Sequence, residues 1–405
     1  MYKPVLSIDV SKSKSCAAAF LDYGEPYLKP FVFSHSPEGT AALVSKLTDL
    51  EKCTGIKPDV VLEATGNFSK PISNFFEREG FNVIVLNPLR THQRKNKSIR
   101  KIKTDPVDAN RIAQVYYLEK CLPNSVVSEL SSDIRNLCRQ LDGFNTMFTE
   151  TQIRFRCILD LIFPNYDTIF NHVCCKSSLN IINNYPSPQS VLTADREDLI
   201  RIIKSSGLGY PMKWIEERVD KLIAAAGESL PSKEAQQSNT KIIKHYVRML
   251  MTHMDVMAQI RAQIIAQASL SPVYPLLRSI PGVGELTAAT IIGEIGDISR
   301  FDSVKKLVAF SGLDPSVYES GKFKSSNNKI TKRGSSYLRK ALYQATVAGI
   351  SNRKNGPINP VLYGYYTKKL SEGKAPKVAI VAASNKLLHI IYGIWRSGNP
   401  FVNVH

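Results

Sequence analysis

Four acids in the first part of the chain have the types and spacing for metal chemistry. Asp9 sits inside the apolar stretch Val5-Leu6-Ser7-Ile8-Asp9-Val10, and Glu63 ends the run Asp59-Val60-Val61-Leu62-Glu63. An acid in or at the end of an apolar strand is costly unless it is paired or bound to a cation. Two such strands adjacent in one sheet would bring the carboxylates together. Asp105 and Asp108 follow in Thr104-Asp105-Pro106-Val107-Asp108-Ala109. Thr104 or Asp105 suits a helix N-cap and Pro106 the first turn, so the i, i+3 spacing puts both aspartates on one helical face. Four carboxylates from two strands and a helix can hold two Mg2+ ions, and two ions so held clamp the attacking and leaving oxygens of a phosphodiester. Singly, each acid also reads as a strand-end or helix-capping group. The set of four in this order favours the metal site.

Charge supports a phosphodiester as the substrate. The chain of 405 residues carries 53 Lys/Arg against 35 Asp/Glu, a net charge of +18. A chain this basic is expected to meet polyanions, with nucleic acid the default partner. Residues 89–103 hold seven basic side chains and no acid, among them Arg94, Lys95, Lys97, Arg100, Lys101 and Lys103. They would lie on a nucleic-acid backbone beside the metals. Residues 301–405 hold 17 Lys/Arg against 4 Asp/Glu.

Two later motifs could also touch phosphate. Ile280-Pro281-Gly282-Val283-Gly284 precedes an apolar stretch and resembles a helix-hairpin-helix. There Gly282 and Gly284 would let backbone amides approach a phosphate at a helix N-terminus. A plain connection between two helices is the other reading. Further on, Ser320 precedes Gly321 in a loop flanked by Lys322, Lys324, Lys332, Arg333 and Arg339. A serine hydroxyl among cations that stabilise developing charge can attack phosphorus. Ser316, Ser325, Ser326 and Ser335 share the region, and most loop serines only form turns.

The elements that must position these groups fall into three regions. Residues 1–124 read as strands followed by alternating helix and strand, a mixed α/β sheet domain. Residues 125–272 read as helical. Leu130, Ile134, Leu137, Leu141, Phe144 and Phe148 step by 4 and 3, and the register continues through Thr151 to Phe155, Ile158 and Ile162. That is a coiled-coil stripe. Ile243, Val247, Leu250, Met254 and Met257 form a second stripe, able to pair with the first within one chain or between chains. Residues 165–240, punctuated by proline and glycine, read as a small helical insertion. Residues 273–405 are expected to be mainly α-helical.

Other classes are set aside by composition. No apolar run is expected to reach the eighteen or so residues of a membrane span, and the N-terminus does not read as a signal peptide. Cys16, Cys53, Cys121, Cys138, Cys157, Cys174 and Cys175 show no C-x-x-C pair. They read as reduced thiols of a cytoplasmic protein.

Taken together, Asp9, Leu62-Glu63-Ala64-Thr65-Gly66, Thr104-Asp105-Pro106-Val107-Asp108-Ala109, Ile280-Pro281-Gly282-Val283-Gly284, Glu319-Ser320-Gly321-Lys322 and Lys332-Arg333-Gly334 resemble a known family. It is the IS-one-ten family of bacterial insertion-sequence transposases, DEDD enzymes that include bridge-RNA-guided recombinases. The resemblance spans nearly the whole chain. It implies a RuvC-like (RNase H-like) N-terminal domain whose Asp9, Glu63, Asp105 and Asp108 bind Mg2+, and a C-terminal transposase domain. It further implies that Ser320 forms a phosphoserine link to DNA. The implied partners are donor and target DNA, an element-encoded guide RNA, and further copies of the chain in a dimer or tetramer built through the coiled coil. The chain departs from many relatives in having one glycine after Ser320 where they have two. Residues 165–240 resemble an insertion of longer relatives. The residues alone also admit a resolvase-like metal nuclease that uses water, or a nucleic-acid-binding scaffold.

Overall fold

The computed structural model describes residues 3–88, 91, 104–119, 128–207, 209–232, 234, 236–316, 319–320, 323–324 and 329–402, with the backbone alone at 319–320 and 323–324. The chain divides into two compact units, Met1–Val126 and Val127–His405.

The first unit is a five-stranded mixed sheet. β1 (Val5–Asp9), β2 (Lys14–Asp22) and β3 (Glu25–Ser34) form an antiparallel meander. α1 (Pro37–Thr54) then crosses to β4 (Asp59–Glu63), and α2 (Ser69–Arg78) to β5 (Asn82–Leu86). Both later strands run parallel to β1, in the order β3-β2-β1-β4-β5. The period-2 alternation of strand side chains assigns the faces. Leu6, Ile8, Val60 and Leu62 pack with Leu43 and Leu47 of α1 and Phe76 of α2. Val5 and Val61 point the other way, against Ile112, Val115 and Tyr116 of α3 (Asp105–Glu119).

The second unit is built on two 34-residue helices, α4 (Glu129–Ile162) and α9 (Gln236–Ser269). They pack against each other within the chain. Ile134 and Leu141 share a core with Met257 and Ile264, and Phe155 and Leu159 share another with Ile243 and Val247, so the pair is antiparallel. Between them, α5 (Lys176–Asn184), α6 (Pro188–Leu192), α7 (Arg196–Lys204) and α8 (Met212–Glu228) make the helical insertion. It packs Leu179, Leu199, Ile215 and Leu222 on the far end of the pair.

The near end of the pair shares one core with the C-terminal helices, so the expected middle and C-terminal regions form a single compact unit. These helices are α10 (Val273–Arg278), α11 (Glu285–Ile295), α12 (Val304–Ser311), α13 (Ser336–Ile350), α14 (Pro360–Ser371) and α15 (Pro376–Ser397). By length and composition α15 is apolar enough to cross a membrane, contrary to the expectation from the apolar runs. Its Ala379, Ala383, Leu387, Leu388 and Ile391 are buried in the unit, which accounts for that composition.

A buried carboxylate ties this core together. Gly293 of α11 lies so close to α4 that a Cβ there would be 2.8 Å from the Arg135 amide nitrogen. The next residue, Glu294, is 2% exposed. It accepts from Arg139 Nε at 2.8 Å and Nη2 at 2.9 Å, and from Ser335 Oγ at 2.7 Å. Ser335 in turn caps α13, accepting from the Leu338 amide. Burial pushes the Glu294 carboxyl up, but the hydrogen bonds from Arg139 and Ser335 together with the charges of Arg139 and Arg135 hold the group below the usual carboxylate range. A carboxyl held down in the fold contributes stability above its unfolded pKa and loses it as pH falls through the folded value. Removing one partner of a fully buried pair costs about 3–5 kcal/mol. Arg139 is partly exposed, so Arg139→Ala is expected to cost nearer ~2 kcal/mol. Thermal or urea unfolding should show that difference at neutral pH, narrowing as pH falls through the carboxylate range.

Candidate active site

Sheet register brings the first two acids together. β1 and β4 are parallel neighbours, with Ile8 and Leu62 as Cα partners. Asp9 and Glu63 are the next residues, so they stand side by side at the carboxyl ends of adjacent parallel strands. That edge is where open α/β sheets bind ligands. Alternation puts Asp9 on the face of Val5, and Glu63 on the face of Val61. α3 covers this face. Its first turn holds Asp105 and Asp108, with Pro106 at the second position and the Asp108 amide donating to Thr104 O at 3.0 Å.

A residue that the sequence marks only as a reduced thiol shows how close the helix start comes. Cys16 on β2 is the Cα partner of Asp9 and packs with Ala109 of α3. Burial pushes its thiol up, and the charges of Asp105 and then Asp9 push it further. Both carboxylates therefore lie in the surroundings of one thiol. The register that pairs Asp9 with Cys16 is not visible in the sequence.

The acids are held differently. Glu63 is half-buried, and its Oε2 accepts from the Thr91 hydroxyl at 2.8 Å. Thr91, itself buried, is a positioning residue that sequence reasoning did not single out. Asp108 is buried and paired with Arg111 at 2.9 Å. Asp105 is exposed and Asp9 half-buried. At the opposite end of β4, buried Asp59 accepts from Lys3 Nζ, Asn82 Nδ2 and the Tyr116 hydroxyl. That acid is satisfied within the protein, whereas Glu63 faces the edge.

Carboxylate oxygens suit a hard cation such as Mg2+. Asp9, Glu63 and Asp105 are the donors this edge offers. Among the described residues no three acids, histidines or cysteines are drawn to the spacing of ligands sharing one ion. Arg94, Lys95, Lys97, Arg100, Lys101 and Lys103 lie outside the described residues.

In the second unit, Ser320 lies on a short hairpin. β6 (Glu319–Ser320) pairs with β7 (Phe323–Lys324), Ser320 opposite Phe323. Below it, Pro315 bridges to Ile330. The Ser316 amide donates to Lys329 O, and the Thr331 hydroxyl to Asp314 Oδ1. Gly312 and Gly334 meet at the base, where a Cβ on Gly334 would lie 2.7 Å from the Gly312 nitrogen. Arg339 donates to Ser311 O and Gly334 O, so its guanidinium fixes this base. Lys332 and Arg333 are exposed. Lys332 adopts φ 55°, a left-handed conformation that costs a side-chain-bearing residue about 1–2 kcal/mol. Lys322 lies outside the described residues, and Lys324 is described by backbone alone.

The Gly282–Gly284 turn reads differently in three dimensions. A Cβ on Gly282 would meet the Gly349 Cα at 2.7 Å and Ala345 O at 2.8 Å. This glycine permits close packing on α13. Gly284 is exposed at the start of α11, with Glu285 in the first turn.

Comparison with known proteins agrees with both units. A DEDD transposase model of the IS110 type matches residues 6–164, and a model described as the transposase IS116/IS110/IS902 family matches residues 274–361. The insertion falls between them. The IS110 insertion-element 43.6 kDa protein of Streptomyces coelicolor is 22% identical over 303 residues, covering 73% of this chain and 71% of that one. A pilin gene-inverting protein of Moraxella bovis is 33% identical over 126 residues, 31% of this chain and 38% of that one. The transposase of element IS1111A from Coxiella burnetii is 36% identical over 118 residues, 29% of this chain and 31% of its own length. With the two models matched in chain order, the first running from the sheet unit into α4 and the second lying within the C-terminal helices, the chain carries the DEDD transposase domains of the IS110/IS116 family.

Proposed function

We propose that this protein cuts and rejoins DNA to move or invert a DNA element. Asp9, Glu63, Asp105 and Asp108 form its metal-binding acid centre, and Ser320 is its nucleophile. The observation that carries this reading is the pair Asp9 and Glu63, side by side at the carboxyl ends of parallel strands under the first turn of α3. The sheet order β3-β2-β1-β4-β5 supports the RuvC-like reading of the unit.

Mg2+ held by these acids would supply Lewis-acid stabilisation of the leaving oxygen. The Thr91 hydroxyl fixes the Glu63 carboxylate for that task. Arg111 balances the charge of Asp108. On the other unit, the Asp314–Thr331 stem and the Arg339-braced base hold up the hairpin that carries Ser320. Attack of the Ser320 oxygen on phosphorus forms a phosphoserine ester as the DNA oxygen leaves. The ester retains the bond energy, so rejoining needs no ATP. Lys332 and Arg333 offer exposed cations at the base of the hairpin, where the Lys332 amide donates to Gly312 O. Donor and target DNA are the substrates of this reading. A guide RNA is its finer form, supported by the net charge of +18. Assembly into a dimer or tetramer is supported by Met147, Ile153, Ile242 and Met249, exposed on the two long helices.

A denaturing gel after incubation with labelled donor and target DNA, Mg2+ and copurifying RNA tests the serine. The wild type should give a covalent protein–DNA adduct, absent in Ser320→Ala and in Asp9→Ala. An adduct surviving Ser320→Ala would move the nucleophile to another serine, and cleavage without adduct would favour water. For the acids, Glu63→Gln should slow strand cleavage about a hundredfold or more, equivalent to roughly 3 kcal/mol of lost transition-state stabilisation. Chelation should stop the wild-type reaction and added Mg2+ should restore it.

A further inference from the structure

We infer that the corner between α14 and α15 is a second nucleic-acid surface, separate from the Ser320 hairpin, that grips a strand by its phosphates. The proposal rests on the reading that the chain handles nucleic acid, and adds a place where it does so.

The ten residues 368–377 hold Lys368, Lys369, Lys374 and Lys377 against the single acid Glu372. Residues 371–378 are all exposed, as is Lys368. Glu372 accepts from Lys369 at 2.7 Å. That hydrogen bond, then the charges of Lys369, Lys368 and Lys374, hold its carboxyl below the usual range. Three lysines thus crowd one carboxylate, and the corner keeps an excess of positive charge. Exposed like charges repel at this spacing, and a polyanion relieves the repulsion by displacing its own counterions.

The helix leading into the corner is not built for the core. Of the twelve residues of α14, Leu362 alone is buried. Tyr363, Tyr365 and Tyr366 are half-exposed, and Lys369 Nζ lies 5.4 Å from the centre of the Tyr365 ring. Aromatic faces interleaved with lysines match the composition of surfaces that bind strands with accessible bases. The corner also lies beyond residues 274–361, where the C-terminal family model matches.

The test is fluorescence anisotropy of the full chain with three labelled probes of one sequence: single-stranded DNA, single-stranded RNA and duplex DNA. Wild type is compared with the triple variant Lys368→Gln/Lys374→Gln/Lys377→Gln across a salt series, with thermal melting to confirm an unchanged fold. The variant should bind at least about tenfold more weakly at low salt. Its slope of log affinity against log salt should be shallower by about 2 for single strands, or about 3 for duplex. The probe with the largest loss identifies the strand that occupies the corner. Unchanged affinity and slope on all three probes would overturn the proposal. If the variant keeps wild-type binding while Glu63→Gln still loses cleavage, the corner is wrong and the transposase reading stands. If the wild type itself binds none of the probes, both fall.

Discussion

The parallel pairing of β1 and β4 is the constraint on which the acid centre depends. Asp9 and Glu63 are far apart in the chain, and only the Ile8–Leu62 register puts them on adjacent strand ends. A slip of one residue would turn one of the two carboxylates into the core packed by α1 and α2. The apolar partners prevent that slip. Leu6, Ile8, Val60 and Leu62 fill one face, and Val5 and Val61 fill the other. α3 is seated by the same pattern, since Ala109, Ile112 and Tyr116 hold its first turn near Asp9 and Cys16. Packing of unremarkable aliphatic residues therefore decides where the charged ones converge.

The second unit solves a different problem, which is to hold up the hairpin that carries Ser320. Its Glu294–Arg139–Ser335 network joins α4, α11 and the cap of α13. Just before that cap, Gly312 and Gly334 approach too closely for side chains, and Arg339 bonds to the carbonyls around them. The hairpin therefore rises from a base fixed on both sides. A buried ion pair is weak support for stability in itself. Its three-way geometry is better read as specifying which helices meet and where the hairpin starts.

Much of this was legible in the sequence. The strand-end acids stand out because Val60-Val61-Leu62 and Val5-Leu6 are short, β-prone and apolar. The i, i+3 pair Asp105 and Asp108 was legible from Pro106 and Thr104, which mark a helix start. Both long helices were legible from their apolar stripes, but the choice of pairing within the chain was not, because a heptad stripe does not name its partner. Cys16, Thr91 and Glu294 were missed for a shared reason: each acquires its role only through contacts that no local pattern encodes. Gly282 shows how a local pattern leaves two readings open. A glycine in a turn before a helix suggests an approach to phosphate, and its actual neighbour is the backbone of α13.

The proposed acid centre requires Asp9 and Glu63 to bind one divalent cation together. The most direct measurement is Mn2+ binding to the full chain by electron paramagnetic resonance, comparing wild type with Asp9→Asn and with Glu63→Gln. Mn2+ should be bound by the wild type and that signal lost in each variant, with Mg2+ competing for the same site. Equal Mn2+ binding by all three proteins would contradict it.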